Sequence, residues 1–351
     1  MFAGPGERDL IAIRRKARVP LIAGVCSEGL GARSGDAGPR RRVAPTPAAA
    51  TATATAPHIE NRDRDRAGAG NAAAGGAVTT GTAPTSTTAA KRYPTVGTVS
   101  STRSGITVVD GVFLNGNGPW RFVLDTGAQT NQVDASVARK LGLAPGFQAE
   151  MVTTTGNIHV AGGRVAEVSL GSATASNQEF LFTTLDGAHA LSADIKGVLG
   201  EQFLSQFDYL LDFTHHRLVI GEATPEGGNR LSFETVNGCP AIGTSEGKLT
   251  LDSGTNVMLL YRQTQSVSAG PNGPAIRTAS GTALVSAIQG LLLRIAGREY
   301  HPANAAASTR NALLGDDGIL PASLFHAVFV GNSGKYLILD PSTGTGPTGR
   351  H

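Results

Sequence analysis

The chain has 351 residues, 40% of them hydrophobic, enough for one large or two medium domains around a packed core. Charge is unevenly spread: residues 1–104 hold 15 Lys and Arg against 7 Asp and Glu, whereas residues 105–351 hold 15 against 20. The net charge of +3 therefore describes the tail, and an acidic body argues against nucleic acid as a partner of the folded part.

In chain order, Arg14-Arg15-Lys16-Ala17-Arg18 followed by Val19–Val25 has the basic-then-apolar order of an export signal, interrupted by Pro20 and without a small-x-small cleavage site. The compartment stays open, with a lean to periplasmic or secreted. No apolar run approaches the ~20 residues that span a bilayer, so no transmembrane segment is expected. Cys26 and Cys239 offer no metal-ligand spacing and no plausible disulfide, and Cys239 reads as a small buried hydrophobe. Neither a metal nor a cofactor is expected.

Residues 45–90 are dominated by Ala, Thr, Gly and Pro, which supply too little apolar area to offset the entropy of ordering. Residues 1–104 are thus predicted to be a disordered tail, with folding starting near Gly105. From there the texture is β. Ile106–Leu114 and Arg121–Leu124 are β-branched and aromatic runs joined by Asn115-Gly116-Asn117-Gly118, a hairpin signal. Residues 134–141 predict a short helix with Asp134 as N-cap and Gly142 as stop. Val165–Leu170 alternates as a strand, Phe203–Phe207 reads as a helical turn, and Tyr209–Phe213 with Arg217–Ile220 as a hairpin through His215-His216. Those adjacent histidines, and Asp316-Asp317 between glycines, read as surface or loop residues; the latter lack the alternating ligand spacing of a calcium loop.

The chain also repeats itself. Leu124-Asp125-Thr126-Gly127-Ala128 falls on Leu251-Asp252-Ser253-Gly254-Thr255, an offset of 127. Thr153–Asn157 falls on Thr278–Thr282 at an offset of 125, and Gly197-Val198-Leu199-Gly200 on Gly318-Ile319-Leu320-Pro321 at 121. One Asp-Thr-Gly is an ordinary turn. Two in register, each after an apolar strand and each with a later apolar-apolar-Gly or -Pro element, are not.

This pattern resembles the retropepsin-like aspartic peptidases, and the duplication within one chain resembles the pepsins, with bacterial-type relatives. The resemblance implies an all-β fold with short helices: two tandem lobes, residues 105–226 and 227–345, with the active site at their interface. It implies an aspartic endopeptidase in which Asp125 and Asp252 share one proton, the ionised carboxyl acting as base toward water and the protonated one as acid toward the carbonyl. Gly127 and Gly254 let the backbone come close, Thr126 and Ser253 reach across to the opposite loop, and Ala128 and Thr255 complete the loops. Thr255 offers a hydroxyl to its neighbouring carboxylate that Ala128 lacks, and Ala at that point goes with a working pH less acidic than a pepsin's. Thr154, Thr155 and Gly156, with Ala279, Ser280 and Gly281, are the candidate flap tips over an extended polypeptide substrate. Ordinary surface hairpins are the alternative for those tips. Both halves being present, a monomer suffices. Alternatives to the endopeptidase are a catalytically weak peptide-binding protein of the same fold, or a protease that processes only itself, its tail a pro-segment. Pro321, standing where the first copy has Gly200, implies that the second loop is supported differently.

Overall fold

The structure, a computed structural model, describes residues 105–221, 225–263, 274–279 and 281–342, together with the backbone of 18–20 and 96–97. The predicted linker 45–90, Cys26 and Ser280 lie outside the described residues. The described chain is almost entirely β, with helical turns at Ala135–Lys140, Asp186–His189, Glu201–Leu204 and Ala322–Leu324.

Strand Val108–Leu114 turns at Asn115-Gly116, both at positive φ, into strand Asn117–Leu124, which Asp125 directly follows. Asn and Gly tolerate the left-handed backbone that a two-residue hairpin needs. Strand Ile195–Leu199 lies parallel beside Asn117–Leu124, with Phe122 opposite Gly197 and Leu124 opposite Leu199. Asn131–Asp134 runs antiparallel to Ile195–Leu199 and parallel to Ala173–Thr183. The helix Ala135–Lys140 follows, its Asp134 cap accepting the Ser136 N–H at 2.7 Å. The same succession recurs from Cys239. Strand Cys239–Thr244 turns into Gly247–Asp252, Gly318–Pro321 lies parallel with Leu249 opposite Gly318 and Leu251 opposite Leu320, Met258–Arg262 runs antiparallel to it, and Ala305–Thr309 completes the set in parallel.

A six-stranded sheet ties the two sets together. Tyr209–Asp212 pairs with Arg217–Ile220 on one side and with Ala327–Gly331 on the other, and Asn229–Ser232 with Tyr336–Leu339 extends it. Leu211, Leu218, Val328, Val330, Leu337 and Leu339 are buried in one apolar cluster that runs on to Leu124, Leu251 and Leu320 behind both Asp loops. Two short upstream pieces pair with these sheets. Arg18–Pro20 lies parallel to Glu150–Val152, and Val96–Gly97 pairs with Arg217 and Leu218, each capping a sheet edge that would otherwise present unpaired backbone groups.

Two elements are longer or earlier than their sequence signals. The predicted strand Val165–Leu170 begins at Gly156, because Gly162 and Gly163 do not break it. A Cβ at Gly162 would stand 2.3 Å from the Phe147 ring, so that glycine admits an aromatic packed across the strand. The helical turn predicted at Phe203–Phe207 begins instead at Glu201, whose N–H is taken by the Ala128 carbonyl at 2.7 Å.

Glu201 itself is buried, and its carboxyl accepts a long hydrogen bond, 3.4 Å, from the Tyr209 hydroxyl. Burial pushes it from an ordinary value of 4.5 up to about 8, against the lowering effects of Tyr209 and Lys335. It is therefore neutral in the fold near pH 7, while the unfolded chain releases its proton from about pH 4.5 upward. Its contribution to stability is present at low pH and is lost as pH rises from the unfolded toward the folded value. Denaturant unfolding at pH 5 and pH 8 checks this. Glu201→Gln is expected to reduce the alkaline loss by on the order of a few kcal/mol, and an equal loss in both proteins would contradict it.

Candidate active site

Asp125 directly follows one central strand and Asp252 ends another, and each is fully buried, at 0% exposure. Strand ends are where a sheet releases a loop without losing its ladder, and here two such loops meet. In the first, Gly127 N–H donates to Asp125 Oδ1 at 2.9 Å; in the second, Gly254 N–H donates to Asp252 Oδ1 at 2.6 Å. The two carboxyls face one another within hydrogen-bonding reach. Their Oδ2 atoms accept no hydrogen bond from other described residues. A Cβ at Gly127 would stand 2.7 Å from Asp252 Cγ, and one at Gly254 2.6 Å from Asp125 Cγ. Any other residue in either loop would push the pair apart.

The loops are locked by reciprocal bonds. Thr126 Oγ1 donates to the Leu251 carbonyl at 2.8 Å and accepts the Ser253 N–H at 3.1 Å. Ser253 Oγ donates to the Leu124 carbonyl at 2.6 Å and accepts the Thr126 N–H at 3.2 Å. Each hydroxyl thus satisfies one buried carbonyl and one buried amide of the other loop. Ala128 is buried and its N–H meets the Asp125 carbonyl at 3.3 Å. Thr255 does not do what its position suggested. Its hydroxyl turns back to Val257, accepting that N–H at 3.2 Å and meeting its carbonyl at 3.4 Å, a local turn that competes with the carboxylate.

Burial is the largest cause of the electrostatics here. It raises Asp125 well above the usual carboxylate range, and the negative charge of Asp252 raises it further. Burial likewise raises Asp252, to about 7, against the Gly254 amide and the Asp125 carboxyl, with Asp316 adding to the rise. Two carboxyls this close and this dry disfavour being ionised together.

The two hairpins singled out in the sequence meet each other. The first, Phe147–Thr153 with Gly156–Leu170, turns at Thr154-Thr155; the second pairs Ala275–Thr278 with Gly281–Leu284. Thr153 Oγ1 lies 3.2 Å from Thr278 Oγ1, which Thr155 also contacts. Thr154 Oγ1 lies 3.0 Å from the Tyr261 hydroxyl, and Asn311 Nδ2 donates to the Thr153 carbonyl at 3.2 Å. Gly156 and Gly281 stand at positive φ just past each tip, and Ala279 packs against the apolar cluster of Val123 and Val198.

Pro321 finds its counterpart in the same geometry. Gly200 N–H donates to Asn131 Oδ1 at 3.0 Å; Pro321 has no N–H, and the residue matching Asn131 in the second set is Met258, which has no carbonyl to offer. The change is compensated rather than disruptive. Asp316 lies in a bend before strand Gly318–Pro321, as its composition suggests, and is buried there: Thr250 Oγ1 donates to its Oδ2 at 2.6 Å, drawing the carboxyl onto the sheet. Tyr261, Asn311 and Thr250 carried no sequence signal of their own. His215 is a strap for Asp212, its Nδ1 at 2.8 Å from Oδ2. Among the described residues no three His, Cys, Asp or Glu side chains group as metal ligands, and no helix is long and apolar enough to cross a membrane.

Thr126→Val leaves the Leu251 carbonyl and the Ser253 amide buried without partners, and Ser253→Ala does the same to Leu124 and Thr126. Each is expected to cost about 2–4 kcal/mol in denaturant unfolding, and the double variant less than the sum, because the four bonds form one network. Additive losses would show that the bonds act independently.

No curated protein gives a significant match to the chain. Residues 109–203, which contain Asp125, its loop and the first hairpin, match a family described as aspartyl protease.

Proposed function

We propose that the chain is an aspartic endopeptidase with two equivalent lobes, residues 105–226 and 227–345, each supplying one catalytic carboxyl. The single observation that carries this reading is the meeting of Asp125 and Asp252, both buried, across loops joined by reciprocal hydroxyl bonds. A binding surface has no use for two like carboxyls held at such cost. The match to an aspartyl protease family over residues 109–203 supports the same chemistry for the first half, and the recurrence of its strand pairings supports the equivalence of the second.

The chemistry follows from one shared proton. The ionised carboxyl takes a proton from a water held between the pair as the water oxygen bonds to the peptide carbonyl carbon. The protonated carboxyl gives its proton to the carbonyl oxygen, leaving a neutral tetrahedral diol. The carboxyl now protonated gives its proton to the amide nitrogen while the other carboxylate takes one from a diol hydroxyl, so the C–N bond breaks to an amine and a carboxylic acid and the starting state returns. The joined hairpins suit an extended polypeptide held by main-chain bonds beneath them. Both carboxyls belong to one chain, so a monomer is complete.

Asp125→Asn and Asp252→Asn are each expected to lower cleavage of an unfolded protein by about 10³-fold or more, and a statine-type mimic to inhibit the native chain. Undiminished cleavage in either variant would reject the pair. The pH profile has a definite sign. Activity requires the shared proton, so it falls as pH rises through the value at which the pair loses it, which burial and mutual repulsion have raised. The active form needs one carboxyl ionised and one protonated, and burial raises both, Asp252 to about 7 and Asp125 well above the usual range, so kcat/KM is expected to be highest near neutrality. A profile peaking near pH 2 would contradict it.

A further inference from the structure

The two walls beside the carboxyl pair differ in one buried group. Residues two apart in a strand share a face, so Val123 lies on the face of Asp125 and Thr250 on the face of Asp252. In the first wall Val123 is opposite Val198, and Ile195 stands two residues before Gly197, the partner of Phe122. All three are buried within an apolar cluster. In the second wall Thr250 is opposite Ile319, and Asp316 stands two residues before Gly318, the partner of Leu249. Where the first wall has Val123 and Ile195, the second has Thr250 and Asp316.

Asp316 is 3% exposed. Thr250 Oγ1 satisfies its Oδ2 at 2.6 Å, which fixes the carboxyl over the face that carries Asp252. Its Oδ1 has no partner among the described residues. The neighbouring Arg310 acts on it through charge only: it gives Nη1 to the Asp317 carboxylate at 3.0 Å and Nη2 to the Asp316 backbone carbonyl at 3.1 Å, and no hydrogen bond to Oδ1. Ile319, opposite Thr250, and Leu259, opposite Ile319, belong with Tyr261 to an apolar cluster that also holds Val152 and Ile276 from the two hairpins. A buried carboxyl with vacant lone pairs, on the catalytic face, is an expensive feature unless something cationic meets it. Burial raises its proton affinity, and an adjacent ammonium or guanidinium would offset that.

Resting on the endopeptidase reading above, we infer that Asp316 and Thr250 form an acidic subsite for a lysine or arginine side chain next to the scissile bond, facing an apolar subsite of Val123, Val198 and Ile195. The methylenes of the cationic side chain pack on Leu259 and Ile319 while its charge reaches Asp316 Oδ1, the usual division of a long basic side chain.

The test uses the full chain and peptides that differ at one residue, lysine or norleucine, placed on either side of the scissile bond. Norleucine keeps the four-carbon stem and loses the charge. At one of the two positions lysine is expected to be favoured by about 10-fold or more in kcat/KM. In Asp316→Asn that ratio falls toward one while the norleucine peptide is still cleaved. Equal or lower cleavage of the lysine peptide at both positions overturns the inference, whether or not the variant folds, as does an unchanged ratio in Asp316→Asn. Statine-type inhibitors carrying the same lysine or norleucine separate this from the catalytic reading. Tighter binding of the lysine form by the native chain, without turnover of any peptide, keeps the subsite and removes the catalysis; neither turnover nor lysine-dependent binding removes both.

Discussion

Two carboxyl groups of like charge, buried and touching, do not stay together unless the scaffold compels them. Removing even one charged carboxylate from water is costly, and bringing a second beside it adds repulsion in a medium that screens poorly. The fold meets this constraint at three scales. Closest in, the Gly127 and Gly254 amides stabilise one oxygen of each carboxyl. One step out, Thr126 and Ser253 tie each loop to the strand end of the other. Behind them, Leu124, Leu251 and Leu320 anchor those strand ends in the same apolar cluster as the six-stranded sheet. The residual cost is relieved when a proton neutralises one of the pair.

Much of this was legible in the sequence because the constraint acts locally and twice. Close approach demands glycine, the cross-loop bond demands a short hydroxyl, and the strand demands apolar residues before the aspartate, so Leu-Asp-Thr-Gly and Leu-Asp-Ser-Gly stand out in register. The hairpin turn at Asn115-Gly116 and the cap at Asp134 were readable for the same reason: each is a bond between near neighbours. What could not be read depends on partners far along the chain. Asp316 between Gly315 and Asp317 has the composition of a loop, and its burial follows from Thr250, 66 residues earlier. Glu201 opens a helical turn of four residues, too short to show a buried face, and its partner Tyr209 lies in the next strand. The Thr255 hydroxyl was misplaced because a turn two residues long satisfied it before the carboxylate could.

The second half is not a copy of the first, and its differences are paired. Loss of the Gly200 N–H at Pro321 accompanies loss of the Asn131 acceptor at Met258, so neither orphan is left buried. The exchange of Val123 and Ile195 for Thr250 and Asp316 follows the same logic in part: the introduced hydroxyl satisfies one oxygen of the introduced carboxyl. It leaves the other oxygen open. A change that is compensated on one side only is the kind a scaffold tolerates at a place where something else completes it.

The strengths of the bonds around the pair are ordered in a way that suits turnover. The lock joining Thr126 and Ser253 is wholly buried and made to backbone groups that have nowhere else to turn, so opening it exposes unpaired donors and acceptors. The contacts joining the hairpins run between neutral hydroxyls of Thr153, Thr154, Thr155, Thr278 and Tyr261, at tips where backbone glycines stand at positive φ. A net contribution of about 0.5–1.5 kcal/mol is typical of each such bond, and water can replace every one of them as the tips part. Both carboxyls are fully buried, so on the proposed reading a polypeptide would reach them by parting the hairpins. On that reading a rigid base with weakly fastened hairpins would admit substrate without disturbing the geometry of the pair.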